Sequence, residues 1–100
     1  MFKDVGTLNI AELEVGKTYP FFGAIEDVCP GMERNDWFIY LRNGHLVGKT
    51  ITSIEGANKL KARAFDDVIC VGTVTEISKE DVFVNVHSVI FSKEKNKIVN

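Results

Sequence analysis

Five residues placed about Asn43-Gly44 are of the types that hold a flexible polyanion carrying flat rings: Phe38, Tyr40, Arg42, His45 and Lys49. Asn-Gly is the favoured pair for a two-residue type I′ hairpin turn, because both central positions need positive φ. Such a turn fixes the register. Arg42 faces His45, Leu41 faces Leu46, Tyr40 faces Val47, Ile39 faces Gly48 and Phe38 faces Lys49. Trp37, Ile39, Leu41 and Leu46 then share the inward face, and the five residues share the outward one with Val47. Past Gly48 the pattern weakens, since Thr50 and Thr52 point inward and Ile51 outward, so a bulge is expected near Gly48 or Lys49.

Single-stranded nucleic acid is bound by this combination: cations track the phosphates and bases stack on aromatic faces. Phe38 and Tyr40 supply two platforms, and Phe22 on the adjoining strand is a candidate third. Arg42 and Lys49 flank them, His45 can donate to a phosphate or stack, and Lys59, Lys61 and Arg63 are candidates for an outer rim. Two other readings of the same face stand beside this one. Cross-strand aromatic pairs stabilise a hairpin by roughly 0.2–1 kcal/mol with no ligand, and an outward apolar patch also marks a protein partner or a second copy of the chain.

The elements that must hold these residues are mostly strands. In 17–28, Tyr19, Phe21, Gly23 and Ile25 alternate with Pro20, Phe22, Ala24 and Glu26, the period of a half-buried strand. Gly23 within it predicts a bulge or sharp bend. Residues 29–36 read as a loop, from Pro30-Gly31 and their charge. After the hairpin the period changes: Ile54, Ala57, Leu60 or Lys61, and Ala64 recur at helical spacing behind a capping Ser53. A short helix near 54–65 is expected, with Leu60, Ala64 and Phe65 plugging the end of the sheet. Residues 67–78 and 81–92 are two further strands. In the last one Val82, Val84 and Val86 face in, Phe83, Asn85 and His87 face out, and a bulge near Ser88 is needed to return Val89 and Phe91 to the core.

Five strands with one short helix between the third and fourth make an all-β, OB-fold-like barrel, with an SH3-like barrel as the competitor. At 100 residues the chain is one domain, expected over 1–92, with 93–100 a polar tail that frays.

Net charge is −2, but it is unevenly spread. Residues 1–36 hold three cations and seven acids, 37–65 five cations and one acid, and 66–100 four cations and six acids. The positive segment is the one that carries the hairpin, which is what local steering of a polyanion requires. The overall acidity, and the acidic stretch from Glu26 to Asp36, fit a protein partner better.

Cys29 and Cys70 lie far apart in unlike contexts and read as reduced thiols. With only His45 and His87 and no C-x-x-C, no metal site is expected. No apolar run is long enough to span a membrane, and 1–10 lack a signal-peptide core, so a cytoplasmic protein is expected. There is no phosphate-binding loop, dinucleotide fingerprint or hydrolase triad, so neither cofactor nor catalysis is expected.

The segment 38–44, followed by a helix and then 67–74, resembles OB domains of the tRNA-anticodon-binding superfamily, found at the N-termini of aspartyl- and lysyl-tRNA synthetases. The shared elements are Gly23 in the first strand, then Phe38, Ile39, Leu41 and Arg42, then Cys70, Gly72 and Val74. The resemblance spans about 15–92 and implies base stacking on Phe38 and nucleic-acid contact by Arg42. Tyr40 stands where the synthetases usually carry an acid, and no synthetase catalytic domain is present. The function expected is therefore a free-standing OB module that binds single-stranded DNA or RNA weakly and salt-dependently. The alternative is an adaptor or inhibitor that docks on a protein partner, or on a second copy of itself, through the same face.

Overall fold

Alternation in the sequence becomes a closed barrel because one long strand serves two neighbours. The computed structural model describes residues 3–41, 46–79 and 81–91. The strands are β1 (Lys3–Asp4), β2 (Thr18–Pro30), β3 (Asp36–Leu41), β4 (Leu46–Ile51), β5 (Asp67–Ser78) and β6 (Asp81–Phe91), with helix α1 (Ile54–Ala62) between β4 and β5. The sheet order is β1-β2-β3-β4-β6-β5, and β5 returns to β2. Strands β2 to β6 thus close a five-stranded barrel, while β1 adds a two-residue parallel strand to the outside of β2. The helix joins the third and fourth strands of the barrel, as expected.

Along β2, Thr18 to Ala24 pair with β5 and Ile25 to Pro30 pair with β3. The strand must bend between the two, and it does so at a bulge: Ile25 is opposite Leu41 but Asp27 is opposite Tyr40, leaving Glu26 as the extra residue. The bend is therefore three residues beyond Gly23, whose pairing with Val68 is regular. The expected loop also shrinks. Cys29 and Pro30 still belong to β2 and Asp36 opens β3, so 31–35 alone make the connection, closed by the Gly31 N–H donating to the Asp36 carbonyl at 2.8 Å.

β3 and β4 pair in the register expected from the sequence, with Tyr40 opposite Val47, Ile39 opposite Gly48 and Phe38 opposite Lys49. The ladder then continues unbroken to Asp36 opposite Ile51, so the bulge expected near Gly48 or Lys49 is not formed. Ile51 stays outward and 76% exposed, which is tolerable at a strand end. Residues 42–45, on which the expected Asn43-Gly44 turn falls with Arg42 and His45, lie outside the described residues, as do 92–100, which include the expected tail 93–100.

Ser53 caps α1 by accepting the Gly56 N–H at 3.2 Å. Ala57 and Leu60 are its buried residues. Phe65 is not the expected plug. The helix ends at Ala62, and Phe65 adopts a left-handed φ of 70° to return the chain to β5, its N–H donating to the Ile25 carbonyl at 2.6 Å. Its side chain is left 60% exposed, and Ala64 is only half-buried. Val5 and Leu13, from the segment before β2, join the core instead, with Phe21, Ile25, Ile39, Leu41, Leu46, Val68, Val74, Val82 and Val84.

β6 pairs antiparallel with β5 and parallel with β4. Val71 is opposite Ser88 and Gly72 opposite Val86, so His87 is the bulged residue, one position before the expected Ser88. Val89 and Phe91 then return to pack on the core. Two glycines permit the close approach of these strands. A Cβ at Gly48 would stand 2.5 Å from Val86 Cγ2, and one at Gly72 would stand 2.9 Å from the Asn85 carbonyl oxygen. Among the described residues no helix is long and apolar enough to cross a membrane.

Candidate nucleic-acid interface

The parallel pairing of β4 with β6 extends the outward face of the hairpin by a further strand. Two cross-strand rows result. One runs Cys29, Phe38, Lys49, Asn85 across β2, β3, β4 and β6; the other runs Asp27, Tyr40, Val47, Phe83. Directly opposite residues in a sheet project to the same side, with their Cβ atoms about 4.5–5.5 Å apart. Phe38, Tyr40 and Phe83 are each half-buried, so each keeps ring surface exposed between its neighbours.

Lys49 sits between Phe38 and Asn85, its side chain 46% exposed, and its Nζ lies 3.5 Å from Oδ2 of the buried Asp36. Asp27 is turned onto its own strand. Its Oδ1 accepts the Val28 N–H at 2.8 Å, and its Oδ2 takes the Cys29 thiol at 3.4 Å. Partial burial, and then this bond to Asp27, raise the Cys29 thiol above its ordinary value. Cys70, on the inward side, is pushed by burial to about 12. Neither is an activated nucleophile.

Past Lys49 the β4 and β6 strands part. The groove between them has a volume of about 480 Å³ and is lined by Lys49, Thr50, Ile51, Asn85, Val86 and His87. The His87 Nε2 is 2.7 Å from Thr73 Oγ1, which is itself 2.6 Å from Thr18 Oγ1.

Of the residues singled out in the sequence, Phe38, Tyr40 and Lys49 come together here. Phe22 does not join them. It lies seven residues before Cys29 on β2, up to roughly 23 Å away along the strand, and stands opposite Ile69 of β5 and Asp4 of β1. Lys61 places its Nζ 5.3 Å from the centroid of Trp37. Arg63 is anchored in the fold, with Nε 2.6 Å from Asp66 Oδ2 and its guanidinium 4.3 Å from the Phe91 centroid. Lys59 is exposed on α1. Phe83 and Asn85, by contrast, were legible as outward residues of the last strand, but nothing local put that strand beside β4.

Comparison with known proteins adds the fold and no more. No family model matches the sequence, and no curated protein matches it. Solved structures do. A putative aspartyl-tRNA synthetase from Leishmania major Friedlin superposes with a TM-score of 0.67 at 16% identity, over 91% of this chain and 20% of the synthetase. An aspartyl-tRNA synthetase from Entamoeba histolytica gives 0.56 at 19% identity, over 77% of this chain and 18% of its own. The chain is an OB-fold barrel. The OB barrel spans about one fifth of the length of either synthetase. It also superposes on the hypothetical protein ygiW from E. coli, with a TM-score of 0.53 at 13% identity, covering 91% of this chain and 89% of that one. The likeness to these three structures is one of fold.

Proposed function

We propose that the protein is a small OB module that binds single-stranded nucleic acid, without catalysis, across the outward face of β3, β4 and β6. The observation that carries this reading is the pair of cross-strand rows, which gather Phe38, Tyr40 and Phe83 around Lys49 and Asn85. Bases stack on the rings at about 1–3 kcal/mol each, whatever their sequence, and Lys49 takes a phosphate. Arg42 and His45, which lie outside the described residues, are further candidates from the sequence for phosphate contact. With Lys61 and Arg63 engaged in the fold and Lys49 beside Asp36, few phosphates are neutralised, so binding is weak.

A titration of labelled single-stranded DNA and RNA at two salt concentrations tests this. The log affinity should fall with log salt by about 0.7 per phosphate neutralised. Absence of binding to either at low salt overturns the reading.

One observation favours a protein partner instead, on a different face from the hairpin's. Phe22, Ile69 and Ile90 stand opposite one another on β2, β5 and β6, forming an outward apolar row on the other wall of the barrel, with Ile90 48% exposed. Such a row fits a protein partner or a second copy of the chain. Sizing of the purified protein reads the second-copy branch directly.

A further inference from the structure

The groove between β4 and β6 is a built feature with its own causes. The two strands keep parallel register from Leu46 opposite Val82 to Lys49 opposite Asn85. Beyond that point Thr50 and Ile51 pair only with Trp37 and Asp36 of β3, while β6 carries its bulge at His87. Bulges re-aim side chains and are frequent beside binding sites. This one sets the imidazole against Thr73, whose hydroxyl is in turn bonded to that of Thr18. The volume of about 480 Å³ falls within the range of roughly 300–1,000 Å³ usual for small-molecule sites.

The lining also limits the ligand. It offers one lysine, Lys49; three further polar side chains, Thr50, Asn85 and His87; and two aliphatic walls, Ile51 and Val86. A site for phosphate alone would concentrate positive charge. Aliphatic walls with hydrogen-bonding side chains suit a base with a polar edge. The Asn85 amide is exposed and makes no side-chain hydrogen bond among the described residues, so both its N–H and its C=O remain available.

We propose that this groove is a nucleoside subsite in which Asn85 reads the edge of one base, with adenine preferred. The proposal rests on the nucleic-acid reading above and adds sequence preference to it. An asparagine amide matches the N6 donor and N7 acceptor of adenine in a bidentate pair. Phe38 and Asn85 flank Lys49 on either side, two strand spacings or roughly 10 Å apart. Two neighbouring nucleotides whose bases are splayed apart can reach across that interval. The base on Phe38 is stacked and unread, the linking phosphate lies on Lys49, and the next base enters the groove against His87.

The test compares a deoxythymidine decamer with the same decamer carrying one central adenine, titrated against the full chain, Asn85→Ala and Phe38→Ala. The adenine decamer should bind the unaltered protein about fivefold tighter, the lower end for a bidentate base contact. Asn85→Ala should erase that preference, so that the two decamers bind the variant equally, whereas Phe38→Ala should weaken both decamers alike and keep the preference. Asn85 is exposed on β6, so its truncation leaves the core intact. Binding of both decamers without preference, or a preference that survives Asn85→Ala, overturns the subsite alone. Binding of neither overturns the subsite together with the nucleic-acid reading.

Discussion

Lys49 Nζ lies 3.5 Å from Asp36 Oδ2, so the cation beside Phe38 already has a counter-charge within the protein. The carboxylate side chain is 8% exposed and the lysine 46%, which makes the lysine the partner free to turn toward a ligand. A phosphate arriving on this face competes with Asp36. Asp36→Asn keeps the shape and removes the competitor. It should tighten oligonucleotide binding by up to about fivefold, because the half-exposed lysine end of the pair is screened by solvent. Fluorescence anisotropy at low salt measures this, and weaker binding would place the phosphate elsewhere.

Lys49→Ala should act in the opposite sense and with a different signature. Losing one phosphate contact should flatten the salt slope by about 0.7 on single strands. It also leaves Asp36 buried without its counter-ion, so the variant should be less stable than Asp36→Asn in the same urea titration. An unchanged slope with the fold intact would remove Lys49 from the interface.

The aromatic rows make a positional prediction. Phe38→Ala and Phe83→Ala should each cost about 1–3 kcal/mol of binding where a base stacks. Phe22→Ala should leave affinity unchanged, because Phe22 faces Ile69 on the far stretch of β2. If the protein self-associates through the apolar row, Phe22→Ala should instead shift its elution toward the monomer.

Close strand approach predicts large effects from two small changes. Gly48→Ala drives a methyl to 2.5 Å from Val86 Cγ2, and Gly72→Ala to 2.9 Å from the Asn85 carbonyl oxygen. Each should destabilise by about 1–3 kcal/mol, as overpacking does. Gly72→Ala should be the costlier, because backbone yields less than a side chain. Chemical denaturation of the two variants orders them.

The buried thiol gives a pH dependence. Cys70 keeps its proton in the folded state up to about 12, whereas an ordinary thiol loses it near 9.0. Above that ordinary value the unfolded chain holds fewer protons than the folded one. Stability should therefore fall between about 9 and 12, by about 1.4 kcal/mol per pH unit from this group. Cys70→Ala, whatever its own stability, should show a shallower loss from pH 8 to pH 10. An identical slope would mean that Cys70 does not carry the effect.

The sequence by itself determined the alternation along 17–28 and the start of the last strand, the register of the β3–β4 hairpin, and the Ser53 cap. These depend on a period of two, on a turn type and on one side chain three residues from its partner, all of which are local. It also indicated that β6 must bulge, since Val89 and Phe91 could not otherwise reach the core. Only the tertiary structure decided that β6 lies parallel beside β4, because that pairing follows from barrel closure between strands separated by a helix and a further strand. That pairing adds Phe83 and Asn85 to the face and opens the groove at His87. Closure likewise moved the bend from Gly23 to Glu26, separated Phe22 from Phe38, and left Phe65 outside the core. A run of cations in sequence says nothing of what each will meet: Lys61 meets Trp37, Arg63 meets Asp66 and Phe91, and Lys49 meets Asp36. Charge acts through distance in space, and space is assigned only when the strands have found their neighbours.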